Sequence, residues 1–234
     1  MKTSVTLTFL GHSAFKLVSP AGKIIFIDPF LKNNPTTPDD FKEPKEADYI
    51  LLTHGHEDHV GETLDIAKQT GAKVLCTVEL SGLLKSDGLN EDQALEFNKG
   101  GTVTLDDFSV TLTNANHSSS LGGRYAGEPG GLVIRFKNDI TVYHAGDTNI
   151  MPDFEIYGRL YRPDVTMLPV GDHYTMGHSE AALAAEMIGA GVFIPIHHTT
   201  FPPLTGSPEV FKDEAEKLLK DKGSVRILKP GDSL

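Results

Sequence analysis

Cysteine is almost missing from this 234-residue chain. Cys76 stands alone, so no disulfide can form within the chain. It lies in the apolar run Lys73-Val74-Leu75-Cys76-Thr77-Val78 and reads as a small buried hydrophobe rather than a nucleophile. A chain without disulfides suits a reducing cytosol. Long apolar runs are missing too: nowhere do roughly 18 apolar residues follow one another, which excludes a membrane-spanning helix. The start, Met1-Lys2-Thr3-Ser4-Val5, lacks the apolar stretch and small-residue cleavage signal of a secretory leader. The expected location is cytoplasmic, with no membrane partner. Positive charge is also scarce, 21 Lys and Arg against 32 Asp and Glu, for a net charge of −11. Most of the surface would repel a polyanion, so nucleic acid is not an expected partner.

The length supports a sizeable core and a single domain over residues 1–234. Short apolar runs bounded by turn residues predict a β-meander at 5–10, 14–18 and 24–27. A polar, proline-bearing loop follows at 32–46. A strand at 49–52, a His-rich loop, a helix at 61–70 and a strand at 74–78 then form a βαβ unit. Strand patterning returns at 102–105, 108–113, 132–137 and 140–143, with a Gly-rich insert at 122–131 and a tight turn at Asn138-Asp139. The last third alternates: strand 165–170, helix 180–188, strand 192–196, helix 208–220, strand 225–228. A β-rich stretch followed by βα units thus occurs twice, the pattern of a weak internal duplication. Two sheets packed face to face, with helices outside each, would cover all these apolar faces.

Four potential metal ligands fall within six residues, His54, His56, Asp58 and His59, between an apolar strand and a helix. Imidazole with carboxylate suits zinc, iron or manganese, and no thiolate competes. Three more candidates stand at strand ends, where loops of an α/β protein gather into a site. They are His117 after the run Val110-Thr111-Leu112-Thr113, Asp147 in Gly146-Asp147-Thr148, and His197 after Val192-Phe193-Ile194-Pro195-Ile196. His198 is the alternative to His197.

The segment Thr53-His54-Gly55-His56-Glu57-Asp58-His59 resembles the first long motif of the metallo-β-lactamase superfamily, His-x-His-x-Asp-His, residue for residue. His117, Asp147 and His197 follow in that family's chain order. Gly11-His12-Ser13, Asp28-Pro29 and Thr175-Met176-Gly177 resemble its little-characterised branch of cytosolic metal-dependent hydrolases. Ascorbate-phosphate lactonases and phospholipases that cleave N-acyl phosphatidylethanolamine are distantly similar. The resemblance implies an α/β fold, the four-layer αββα sandwich. It also implies two divalent metal ions: one on His54, His56 and His117, a second on Asp58, His59 and His197, with Asp147 bridging. Zinc is the first choice, and manganese, iron and nickel also accept such ligands. Two bridged cations generate hydroxide at neutral pH, and Asp58 would orient it while ligating. The expected reaction is hydrolysis of a small ester, lactone or phosphodiester.

His173, in Gly171-Asp172-His173-Tyr174, is a candidate proton donor to the leaving group, or a plain loop histidine. His178 reads as a helix-entry residue with Ser179 as N-cap. His12 is a turn histidine or a donor behind the ligands, His144 packs or orients Asp147, and Asp28 ends a strand or holds a ligand imidazole. Arg124, in the Gly-rich insert, would overhang the cavity and bind an anionic group, or belong to a flexible hairpin. Two alternatives stay open: a nucleic-acid processing nuclease on the same fold, whose relatives add basic arms not found here, and a non-catalytic metal-binding protein. A di-iron redox role is a poor match, because such relatives carry Glu at the place of His56 and a separate flavin domain. The oligomeric state is open, a homo-oligomer included.

Overall fold

Apolar runs punctuated by glycine and proline become strands in the computed structural model, which describes residues 4–234; the reading of the Met1-Lys2-Thr3 start lies outside them. The first sheet contains β1 (Thr6–Gly11), β2 (Ala14–Val18), β3 (Ile24–Ile27), β4 (Tyr49–Leu51), β5 (Lys73–Thr77) and β6 (Ala94–Phe97), in that spatial order. β1 to β3 pair antiparallel and β3 to β6 parallel. α1 (Glu57–Val60) and α2 (Thr63–Thr70) follow β4, and α3 (Val78–Ser86) follows β5.

The second sheet contains β7 (Thr102–Thr104) and β8 (Phe108–Asn114). After a two-strand hairpin, β9 (Ser120–Leu121) with β10 (Arg124–Tyr125), come β11 (Gly130–Phe136), β12 (Thr141–His144), β13 (Val165–Pro169), β14 (Val192–Ile196) and β15 (Ser224–Val225). α4 (Asp153–Tyr161), α5 (His178–Ile188) and α6 (Pro208–Leu219) lie in its parallel half. β8, β11 and β12 pair antiparallel, and β12 to β15 parallel. Leaving out β7, the pairing order of the first sheet is repeated strand for strand. The duplication that is faint in the sequence is plain in the topology.

Period-two alternation decides which layer each side chain enters. Ile25, Ile27, Leu51 and Leu75 join Val110, Leu112, Leu132, Ile134, Met167 and Ile194 in one core between the sheets. Their neighbours Phe26, Ile50, Val74 and Cys76 pack with Ile66 and Leu80 of the helices on the outer face. On the second sheet Tyr143, Leu168 and Phe193 meet Phe154, Ala181, Ala185 and Phe211 of α4, α5 and α6. Each large side chain so buried contributes roughly 1.5–3 kcal/mol. The result is the expected four-layer αββα sandwich. No helix among the described residues is long and apolar enough to cross a membrane.

Several boundaries differ from expectation. The helix expected at 61–70 is two pieces, because Gly61 turns with φ +41 and a Cβ there would lie 2.3 Å from the Pro29 carbonyl oxygen. Val78 opens α3 instead of ending a strand, and neither α3, α4 nor β6 stands out in the apolar pattern. The closing strand shrinks to Ser224–Val225. The chain's end pairs instead with β1, through Leu7 and Leu234. The N-cap of α5 is Gly177 rather than Ser179.

Candidate metal centre

Both halves deliver donors to one end of the sandwich. His54 follows β4 by three residues, His56 caps α1, and Asp58 and His59 lie within that single helical turn. His117, Asp147 and His197 follow β8, β12 and β14. Three groups result, each with its donor atoms within 4.8 Å of one another: His54, His56 and His117; His12, Asp58, His59 and His197; and His54, His59 and Asp147. Asp147 Oδ2 stands 3.0 Å from His197 Nε2, 3.3 Å from His59 Nε2 and 3.6 Å from His117 Nε2, between the first two groups. His197 rather than His198 enters the cluster. The turn that delivers Asp147 needs Gly146, at φ +66, where a Cβ would come 2.5 Å from the Gly130 carbonyl oxygen.

Asp28, one residue beyond β3, sets the protonation of two imidazoles. Its Oδ1 accepts from Thr53 N–H (2.9 Å), and its Oδ2 from the Thr53 hydroxyl (2.6 Å) and His59 Nδ1–H (2.8 Å). Thr53 has one hydroxyl proton, given to Asp28, so toward His54 Nδ1 (3.0 Å) its oxygen must accept. Both His54 and His59 thus carry a proton at Nδ1 and turn Nε2 inward. Carboxylates behind ligand imidazoles act in this way at metal sites. His12 does comparable work for Asp58: its Nε2 is 3.1 Å from Asp58 Oδ2, and its Nδ1 3.0 Å from the Thr200 hydroxyl. His12 (φ +56), Asp28 (φ +44), His197 (φ +55) and Thr199 (φ +56) all hold left-handed backbone around the centre. Such conformations persist where surrounding contacts over-determine them.

Burial lowers the His54, His56 and His117 imidazoles, which keeps their lone pairs free. Burial, with the charge of His197 beside it, takes His12 down to about 4. Burial alone would raise Asp147 and Asp58. For Asp147 the His197 and His59 charges outweigh it, and for Asp58 the His12 hydrogen bond and His59 charge do, so both stay below the usual carboxylate range. His59 moves the other way, since Asp147 and Asp28 flank it and overcome its burial. The neutral His54, His56 and His117 imidazoles and the ionised carboxylates form a cation-binding set, and a cation would displace the second proton that Asp147 and Asp28 favour on His59. Three buried atoms of the cluster residues, His59 Nε2, Asp147 Oδ1 and His197 Nδ1, have no hydrogen-bond partner; a cation would remove the deficit, about 1–3 kcal/mol each, at the first two. The residues fit divalent metal.

A cavity of about 390 Å³ opens over the donors, lined by His56, Asp58, His117, Ser118, Asp147, Tyr174 and His197. A larger depression, about 620 Å³, lies on α4 beside Ile156 and Arg159 and holds none of the donors. His173 is exposed and is not among the lining residues; its ring stands edge-on against Tyr174, with centroids 4.4 Å apart, and Tyr174 lines the cavity. Arg124 does not reach the cavity. Its guanidinium pairs with both carboxylate oxygens of Asp87, next to α3. The Gly-rich insert and Ser119 just before it strap the metal loop instead: Gly55 N–H donates to Ser119 Oγ (3.1 Å), and Gly130 N–H to the Thr53 carbonyl (3.0 Å). His144 fixes the Asp147 turn through the backbone, accepting from Gly146 N–H at Nδ1 (3.1 Å) while Nε2–H donates to the Ser13 carbonyl (2.9 Å). His178 opens α5. Thr53, Thr200 and Tyr174 escaped the sequence reading; only Thr53, adjoining the motif, carried a positional hint.

Residues 23–198 match the model of the beta-lactamase superfamily domain. The chain is 42% identical over 233 residues to a UPF0173 metal-dependent hydrolase of Rubrobacter xylanophilus, covering 97% of this chain and 95% of the relative. It is 43% identical over 235 residues to a UPF0173 metal-dependent hydrolase of Herpetosiphon aurantiacus, covering 98% and 97%. Among solved structures, a metallo hydrolase from the archaeon Ignicoccus hospitalis is similar with a TM-score of 0.86 and 38% identity, over 98% of this chain and 97% of that one. The chain therefore belongs to the metallo-β-lactamase superfamily, among its metal-dependent hydrolases.

Proposed function

We propose that the chain hydrolyses a small ester, lactone or phosphodiester at a centre of two divalent cations, zinc first among them. The observation that carries this reading is the convergence of six donor residues with Asp147, which stands between two ligand groups. His54, His56 and His117 would hold one cation, Asp58, His59 and His197 the other, and Asp147 would contact both. Such a pair supplies an acidified water and a Lewis acid for the substrate oxygen.

The chain's own residues do the rest. Asp28 and Thr53 keep the His54 and His59 lone pairs inward. Asp58, ionised and held by His12, lies at the cavity surface, where it can accept a hydrogen bond from the attacking water and fix its direction. Ser118 and Tyr174 offer hydroxyls to the substrate from the cavity wall. A leaving group would take its proton from solvent relayed by Tyr174 and His173, exposed neighbours in one turn. Metal analysis by plasma mass spectrometry, followed by assay of esters, lactones and phosphodiesters on the reconstituted protein, tests this. We expect two equivalents of metal and turnover of at least one class. A protein that binds no metal on reconstitution and turns over none of the three refutes it.

A further inference from the structure

A second cavity, about 470 Å³, adjoins the first, and Asp58 lines both. Its walls come from four separate places: Phe30 after β3, Val60 and Glu62 around the end of α1, Leu121 at the end of β9, and Phe201 after β14. Phe30 and Phe201 face each other with ring centroids 6.2 Å apart, and both meet His12 edge-on, at 6.0 and 5.5 Å. The His12 ring also lies 4.1 Å, centroid to centroid, from that of His197, a lining residue of the metal cavity. The apolar wall and the reacting end are therefore joined through one imidazole and one carboxylate. Each cavity lies in the size range of small-molecule sites, ~300–1,000 Å³.

Charge narrows the occupant further. No lysine or arginine lines either cavity among the described residues: Lys32, beside Asn33 of the second cavity, pairs with Asp65, and Arg124 is engaged by Asp87. The charged side chains of the second cavity are all acidic: Glu57, Asp58 and Glu62. Glu62 is held as a carboxylate acceptor by Leu31 N–H and Lys32 N–H. A distal anion would find no counter-charge here, whereas an aliphatic or aryl group would find four apolar side chains, Phe30, Val60, Leu121 and Phe201, from separate parts of the chain.

We infer that this second cavity is the substrate's apolar subsite: the hydrolysed compound carries an uncharged alkyl or aryl group that lodges between Phe30, Leu121 and Phe201. The inference rests on the two-metal hydrolase reading above and adds the class of substrate. Long nucleic acids and polyphosphates do not fit it.

The test uses straight-chain hydroxamic acids, which chelate metal at one end, titrated calorimetrically into the full-length, metal-loaded protein. From acetohydroxamate to octanohydroxamate, affinity should tighten by about fourfold for each of the first few methylenes, the factor that ~0.8 kcal/mol per buried CH₂ gives. A probe of equal length ending in a carboxylate should lose that gain. Phe201→Ala should lower the ratio of octano- to acetohydroxamate affinity at least tenfold. Leu121→Asp, on a surface hairpin, should do the same and serves if the first variant does not fold. If acetohydroxamate binds but chain length has no effect, the apolar subsite is wrong and the metal centre stands. If acetohydroxamate itself does not bind, the metal-centre reading fails, and this inference with it. If both variants keep the wild-type ratio, the tail lies elsewhere and the assignment is overturned.

Discussion

Asp28→Asn changes one oxygen into an NH₂ group and should disturb both proposed ligand groups. The carboxylate is fully buried and accepts three hydrogen bonds, one on Oδ1 and two on Oδ2. The amide keeps its oxygen toward Thr53 N–H, so its NH₂ faces the Thr53 hydroxyl and His59 Nδ1. A donor now confronts a donor at His59, which relieves the conflict by moving its proton to Nε2, the atom a cation needs. The Thr53 hydroxyl, now accepting from the amide, donates to His54 Nδ1 and sends that proton to Nε2 as well. Losing the partner behind a ligand commonly costs 10–100-fold in metal affinity. One substitution acting on an imidazole of each ligand group should cost at least tenfold at each site, about 1.4 kcal/mol apiece. Competition titration against a chromophoric chelator reads both constants, with circular dichroism confirming the fold. Thr53→Val provides the control: it cuts the relay to His54 but leaves the His59–Asp28 bond, so the loss should fall mainly on one site. Asp28→Asn protein with two undiminished binding constants would refute the tautomer argument.

Four further outcomes follow from the geometry. Gly146→Ala forces a left-handed φ of +66 on alanine, about 1–2 kcal/mol, and drives its Cβ into the Gly130 carbonyl; thermal melting should fall by several degrees, and metal affinity with it. Arg124→Ala breaks a solvent-screened surface pair with Asp87, so the urea unfolding midpoint should hardly move, and turnover of uncharged esters should be unchanged. Burial pushes the Cys76 thiol up to about 12, so at pH 8 only about one molecule in ten thousand carries the thiolate; iodoacetamide should label the native protein hardly at all and the urea-unfolded protein fully. Metal at 100 times its dissociation constant should stabilise the fold by about 2.7 kcal/mol per site, read as a concentration-dependent rise in melting temperature.

What the sequence disclosed and what it withheld divide along the range of the interactions. The His54 to His59 segment is legible because four ligands share one loop, and His117, Asp147 and His197 because each follows an apolar strand. The outer sheet strands are legible because alternation is local. α4 is not: its run Asp153-Phe154-Glu155-Ile156-Tyr157-Gly158 mixes aromatics with glycine, buries only Phe154 fully, and owes its helix to packing under α5. α3 hides because Val78-Glu79-Leu80 prolongs a strand-like run. Arg124 read as a free cation because its partner, Asp87, lies 37 residues away in sequence. The roles of His12 and Asp28 depend on contacts across 46 and 31 residues, which no local pattern encodes.

The repeated topology explains why those long-range contacts gather in one place. Pairing order makes β3 the counterpart of β12, and β5 that of β14. Asp28 follows β3 and Asp147 follows β12, so each half sends a carboxylate from an equivalent strand end to the same imidazole. His59 lies between them, Nδ1 at 2.8 Å from Asp28 and Nε2 at 3.3 Å from Asp147. One carboxylate holds the Nδ1 proton and the other faces the Nε2 that a cation would take, a division of labour that neither half could supply alone. The donor set therefore exists only when the two sheets have packed. Metal binding at this centre is for that reason coupled to the folding of the whole sandwich rather than to the His-rich loop that first draws the eye.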